Sequence, residues 1–176
     1  MIKRFETNGS LQSIEPAMTA FGYSYWSYMI PPFKPESLLI LGVGEWTIFK
    51  LIRKVWGDQI RFTGIDIRRP YELCGWLWRD FIEGDAKIEI KKLEEKYDYI
   101  VVDISNGSEI PEWVFSEEFV KDLARITGKL LSINVLGKAK DMSFYDKYFD
   151  FDLEKTILDN KIYFYKAKDN KQTYFL

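Results

Sequence analysis

The chain has 176 residues, of which 47% are hydrophobic, 17% aromatic and 30% charged, with a formal net charge of −2. This composition suits one globular domain over 1–176 that buries roughly 70% of the surface its unfolded form exposes, and the charge balance argues against nucleic acid or a membrane as partner. The single Cys74 excludes internal disulfides and cysteine-cluster metal sites, and with no histidine any proton transfer falls to Asp, Glu, Tyr, Lys or water.

The first residues carry no signal-peptide core and nowhere do 18 apolar residues run together, so a soluble, cytoplasmic protein is expected. Residues 13–30, rich in Tyr and Trp, read as a helix stopped by Pro31-Pro32. They belong to an N-terminal helical and extended segment, 1–36, expected to pack on the domain. Residues 38–41 are an apolar strand that breaks into Gly42-Val43-Gly44. From Glu45 the period is helical, with Ile48, Phe49, Ile52, Val55 and Trp56 on one face and Gly57 as cap. A second strand, 60–67, contains Asp66, a helix is predicted over about 70–79, and 81–83 is a short third strand. Asp85 stands where an N-cap would, ahead of Ala86, Ile90, Leu93 and Tyr97 at helical spacing.

Residues 99–102 are nearly all apolar, as in a central parallel strand buried on both faces, and lead to Asp103. Ser116 caps a helix that turns Phe119, Val120, Leu123 and Ile126 to the sheet, and Gly128 stops it before a fifth strand, 130–135. Strands 149–158 and 162–165 close the chain as a hairpin about Asp159-Asn160. Strands alternating with helices and then a hairpin specify an α/β, Rossmann-like fold. Its sheet is mostly parallel with a C-terminal antiparallel hairpin, and helices cover both faces. A glycine turn at one strand end and an acid at the next suit a nucleoside-containing ligand: backbone approaches closely and the carboxylate can hold ribose hydroxyls. The closing hairpin favours the class I S-adenosylmethionine-dependent methyltransferase architecture over a nicotinamide oxidoreductase.

Within that architecture, Leu39-Ile40-Leu41-Gly42-Val43-Gly44-Glu45 resembles the glycine-rich turn of spermidine synthases. Glu83-Gly84-Asp85-Ala86 resembles their Gly-Asp-Ala signature, and 97–103 resembles their fourth strand. Phe115-Ser116-Glu117-Glu118-Phe119 is similar to the helix that follows, and Asn8-Gly9-Ser10-Leu11-Gln12 to a Gly-x-x-Gln segment. The resemblance implies S-adenosylmethionine, or its decarboxylated form, as cofactor. Gly42 and Gly44 would line its amino-acid or aminopropyl portion, Asp66 would hold the ribose hydroxyls and Asp85 the adenine amino group. Asp103 would be the catalytic acid that takes a proton from the attacking amine, and Gln12, Tyr23 and Tyr25 would meet the substrate.

The chain departs from the family pattern at three places. Asn106 replaces a second acid, Tyr23-Ser24-Tyr25 replaces a Tyr-His-Glu triplet, and Trp46 stands at the third glycine position. These departures favour methyl transfer to an unidentified small acceptor, with aminopropyl transfer or a non-catalytic binding or regulatory homologue as alternatives. No metal is expected, and a homo-oligomer is allowed. Each acid also has a plainer use: Asp66 as acceptor of backbone N–H groups, Asp85 as N-cap and Asp103 as organiser of a loop. The Trp46 indole is expected to turn into the helix–sheet core, leaving the cleft open.

Overall fold

The computed structural model describes residues 3–7, 10–15, 24–70, 80–107, 109–137 and 140–168, the first two ranges by backbone alone. Apolar runs form the inner strands of a seven-stranded sheet: β3 (Ser37–Leu41), β4 (Arg61–Asp66), β6 (Tyr97–Val102) and β7 (Thr127–Leu136). With β5 (Phe81–Glu83), β8 (Phe149–Ile157) and β9 (Asn160–Ala167) the order is β5-β4-β3-β6-β7-β9-β8. Neighbours from β5 to β7 pair in parallel, whereas β9 runs antiparallel to both β7 and β8. The expected α/β architecture is therefore present, with β3 inside the sheet one place from its centre and the closing hairpin at one edge.

Alternation along the strands feeds two cores. Leu39, Leu41, Ile100 and Val102 meet α3 (Glu117–Ile126) through Phe119, Val120 and Leu123 on one face. Leu38, Ile40, Tyr99 and Val101 meet α1 (Thr47–Trp56) through Ile48, Phe49 and Ile52 on the other. Local signals set the ends of these helices. The Ser116 side chain accepts from the Phe119 N–H, and Gly57, at φ 87°, donates its N–H to the Arg53 carbonyl.

Several expectations need correction. The helix over 13–30 does not form: residues 10–15 are strand β2 (Ser10–Glu15), paired antiparallel with β1 (Lys3–Thr7), and 16–23 lie outside the described residues. Among the described residues of that stretch only Tyr25–Met29 is helical, as a 3₁₀ turn whose buried Trp26 and Met29 stand three apart. Three residues per turn bring that pair onto one side, the spacing burial here requires. The helix after Asp85 is short: α2 (Ala86–Glu89) continues as 3₁₀ to Lys92, and Tyr97 opens β6 instead. The hairpin turns at Leu158-Asp159, one residue early, with Leu158 at φ 52°, because Asn160 already pairs with Ile157. A further helix, α4 (Ser143–Tyr148), carries Tyr145 into the core. Most of the helix predicted over 70–79 falls outside the described residues. Among the described residues no helix is long and apolar enough to cross a membrane, and no three His, Cys, Asp or Glu side chains could hold a metal.

Candidate functional site

The parallel ladder continues one step past the strand ends. Gly42 N–H donates to the Ile65 carbonyl (2.9 Å), Gly84 N–H to that of Asp66 (2.9 Å) and Asp103 N–H to that of Leu41 (2.8 Å). Carboxyl-end tips of β3, β4, β5 and β6 are thereby held side by side, where open α/β sheets place ligands. Gly42, Gly44, Asp66, Asp85 and Asp103 all line one cleft of about 390 Å³ with Tyr25, Arg68 and Trp113. That volume lies within the common range for small-molecule sites.

Gly42 has to be glycine. Its φ is +84°, and a Cβ there would stand 2.2 Å from the Asp103 carbonyl oxygen. Asp66 orders the turn: its Oδ2 accepts from the N–H groups of Val43 (2.8 Å) and Gly44 (3.0 Å), and its Oδ1 from that of Arg68 (3.0 Å). Three of roughly four acceptor positions on the carboxylate are thus taken by backbone. Asp85 is the N-cap of α2, accepting from the Lys87 N–H at 2.9 Å. Ile67, beside Asp66, is 76% exposed on the wall of the cleft.

Asp103 has side-chain partners on both carboxylate oxygens. The Tyr25 hydroxyl donates to Oδ2 (3.1 Å) and the Asn134 amide to Oδ1 (2.9 Å). Burial pushes its pKa from 3.8 up to about 6, opposed by those two hydrogen bonds and reinforced by the negative charge of Asp66. Burial, and then the Asp103 charge, raise the Tyr25 phenol well above its usual value, so it stays a donor. A carboxylate poised near neutrality is suited to taking up a proton. Of the other substrate positions, Tyr23 lies outside the described residues and Gln12 sits on β2, where only backbone is described.

Trp46 occupies the αL region (φ 68°, ψ 15°) just before α1, and its side chain turns away from the cleft. It is 1% exposed, packed edge-on against Phe62, Phe81 and Phe49 at centroid distances of 5.5, 5.6 and 6.1 Å. The expectation that this indole joins the core holds, and the space beside the glycine turn stays open. Trp46→Gly is accordingly expected to lose about 2–4 kcal/mol of stability. A Trp cavity costs about 3–5 kcal/mol, and release of the αL strain returns about 1. Denaturant unfolding measures the loss, and unchanged ligand affinity would confirm that the ring does not gate the cleft.

Sequence reasoning missed Asn134. Its signal was available, since Ser132 and Asn134 are polar residues within the otherwise apolar run 130–136 of β7, but nothing local tied either to Asp103.

The sequence matches no model of a known protein family and no curated protein. Solved structures similar to it include a spermidine synthase from Thermotoga maritima, with 14% identity and a TM-score of 0.61 over 92% of this chain and 64% of that one. Another is the Burkholderia thailandensis 1,6-didemethyltoxoflavin-N1-methyltransferase with bound S-adenosylhomocysteine, with 12% identity and a TM-score of 0.56 over 87% and 77%. Aeropyrum pernix fibrillarin with bound S-adenosyl-L-methionine shares 14% identity at a TM-score of 0.58 over 93% and 81%. The fold is that of class I methyltransferases and spermidine synthases, and the chain spans about two thirds of the length of the spermidine synthases it matches.

Proposed function

We propose that the protein is an S-adenosylmethionine-dependent transferase acting on a small acceptor, with methyl transfer favoured. One observation carries this reading: with the Trp46 indole in the core, the glycine turn, Asp66, Asp85 and Asp103 surround a single open cleft. The lining fits the cofactor. Three carboxylates face one Arg68, a field that favours a sulfonium cation, and exposed Ile67 offers apolar surface to a planar base. Gly42 and Gly44 would admit the amino-acid portion, Asp66 would offer its remaining lone pair to a ribose hydroxyl, and Asp85 would accept from the adenine amino group. Bound there, the cofactor supplies an electrophilic carbon on a positively charged sulfur.

Asp103 would then take the proton that the acceptor loses, its carboxylate held by Tyr25 and Asn134 while the cleft supplies proximity. Asn106 in place of a second acid and Ser24-Tyr25 in place of His-Glu remove the charges that would hold a diamine, which favours methyl over aminopropyl transfer. A small-molecule acceptor, a cytoplasmic location and possible self-association belong to the same proposal.

A ligand panel tests it by thermal shift and calorimetry: S-adenosylmethionine, its decarboxylated form, S-adenosylhomocysteine, methylthioadenosine and NAD. Ligand at 100 times its Kd adds about 2.7 kcal/mol, roughly 5–10 °C in Tm for a chain of this size. Stabilisation by S-adenosylmethionine and S-adenosylhomocysteine but not NAD is expected. A response to the decarboxylated form alone would turn the assignment to aminopropyl transfer, and no response to any adenosyl ligand would favour a non-catalytic module.

A further inference from the structure

Two polar side chains interrupt the apolar run of β7, and they differ in how they are satisfied. Ser132 shares a 2.6 Å hydrogen bond with the Tyr99 hydroxyl, which also bonds the Met29 carbonyl, so its polarity is answered inside the core. Asn134 is 8% exposed and donates to Asp103, yet its Oδ1 is buried without a hydrogen-bond partner among the described residues. A buried acceptor with no donor is a cost that an apolar side chain would avoid. Beside a carboxyl group that gains a proton, that oxygen has a use.

We propose that Asn134 is the positioning residue for both protonation states of Asp103, donating N–H to the carboxylate and, after its amide turns over, accepting the O–H of the carboxylic acid. Tyr25 donates to the other carboxyl oxygen throughout, so neither state leaves the carboxyl group short of a bond. Of Tyr25 and Asn134, it is the amide that carries its donor and its acceptor on separate atoms, so turning it over exchanges one for the other. Tyr25, from the 3₁₀ turn, is held as a donor by its raised pKa, Asp66 at the end of β4 contributes like charge, and Asp85 and Arg68 line the same cleft. The inference rests on Asp103 as the proton acceptor of the proposed transfer.

The test uses the ligand-free wild-type protein. NMR follows the Asp103 carboxyl carbon and the Asn134 side-chain amide from about pH 4 to 8, the range that brackets a raised carboxyl titration. Both are expected to report one shared midpoint, near the value of about 6 that the surroundings of Asp103 set. Asn134→Leu removes a bond from both forms, but the charge-assisted bond to the carboxylate is the stronger of the two, so the Asp103 midpoint should move upwards, by about one pH unit. Asn134→Asp should split the titration into two steps, as a close carboxyl pair sharing a proton does. Asn134 resonances that stay flat while Asp103 titrates would overturn the proposal, as would an unmoved midpoint in Asn134→Leu. If that variant does not fold, the wild-type titration decides alone. Failure of the adenosyl ligand panel would remove the transferase reading without touching this coupling. Where transfer is measurable, Asn134→Leu should lower kcat and shift its pH profile upwards with the KM for cofactor unchanged.

Discussion

Asp103→Asn is expected to lower the transfer rate by about 10²–10⁴-fold, the usual contribution of a positioned proton acceptor, while making the folded protein more stable above neutral pH. The two effects have one cause. At low pH the carboxyl group is protonated in both the folded and unfolded chain, and it costs nothing. As pH rises from about 4 to about 6, the unfolded chain gives up a proton that the folded chain keeps, because burial has raised the folded pKa from 3.8 to about 6. Stability therefore falls across that window and is level above it. A shift of this size corresponds to about 3 kcal/mol for a fully desolvated group, and to about 1–2 kcal/mol for one lining an open cleft. Asparagine removes the charge, keeps an oxygen for Tyr25 and turns an N–H towards the unpaired Asn134 oxygen. Chemical denaturation at pH 4, 6 and 8 should show a fall for the wild type and almost none for the variant. A variant that is less stable at pH 8, or retains full transfer activity, would refute a proton-accepting Asp103.

Gly42→Ala is expected to cost about 2–5 kcal/mol and to abolish ligand binding. An L residue at φ +84° gives up about 1–2 kcal/mol, and overpacking adds about 1–3. The obstructing atom is the Asp103 carbonyl oxygen, 2.2 Å from the new Cβ. That oxygen is backbone and has no rotamer to adopt, so the tips of β3 and β6 must separate and Asp103 must leave its partners. Gly57→Ala is the matched control. Gly57 has a similar φ of +87°, with ψ −178°, but no atom within 4 Å of its added Cβ, so it should lose only the conformational part, about 1–3 kcal/mol. Equal losses for the two variants, measured by urea unfolding, would show that the close approach at Gly42 has no energetic weight.

The unbroken apolar runs at 38–41 and 99–102 announced inner strands because a strand covered on both faces has no polar side to show. The caps at Ser116 and Asp85 and the stop at Gly57 were legible because each acts within one turn of itself. Strands separated by helices, then a hairpin, left few chain paths once crossovers are right-handed, so the fold and the cleft at its carboxyl edge followed from sequence by itself.

Tertiary structure alone decided what the acids do and where Trp46 points. Asp66 spends most of its carboxylate on the Val43, Gly44 and Arg68 N–H groups, a use that depends on β4 lying beside β3. Tyr25 and Asn134 stand 78 and 31 residues from Asp103; β7 beside β6 brings Asn134 to one oxygen, and the 3₁₀ turn packed on the sheet brings Tyr25 to the other. The aromatic stretch near 25 read as a long helix because its residues suit one, but an i, i+3 pair buried against the sheet and an antiparallel partner for 10–15 selected other backbone. Periodicity and capping are near-neighbour effects that a chain states locally, whereas a carboxylate's pKa and partners depend on groups that become neighbours only after the chain has folded.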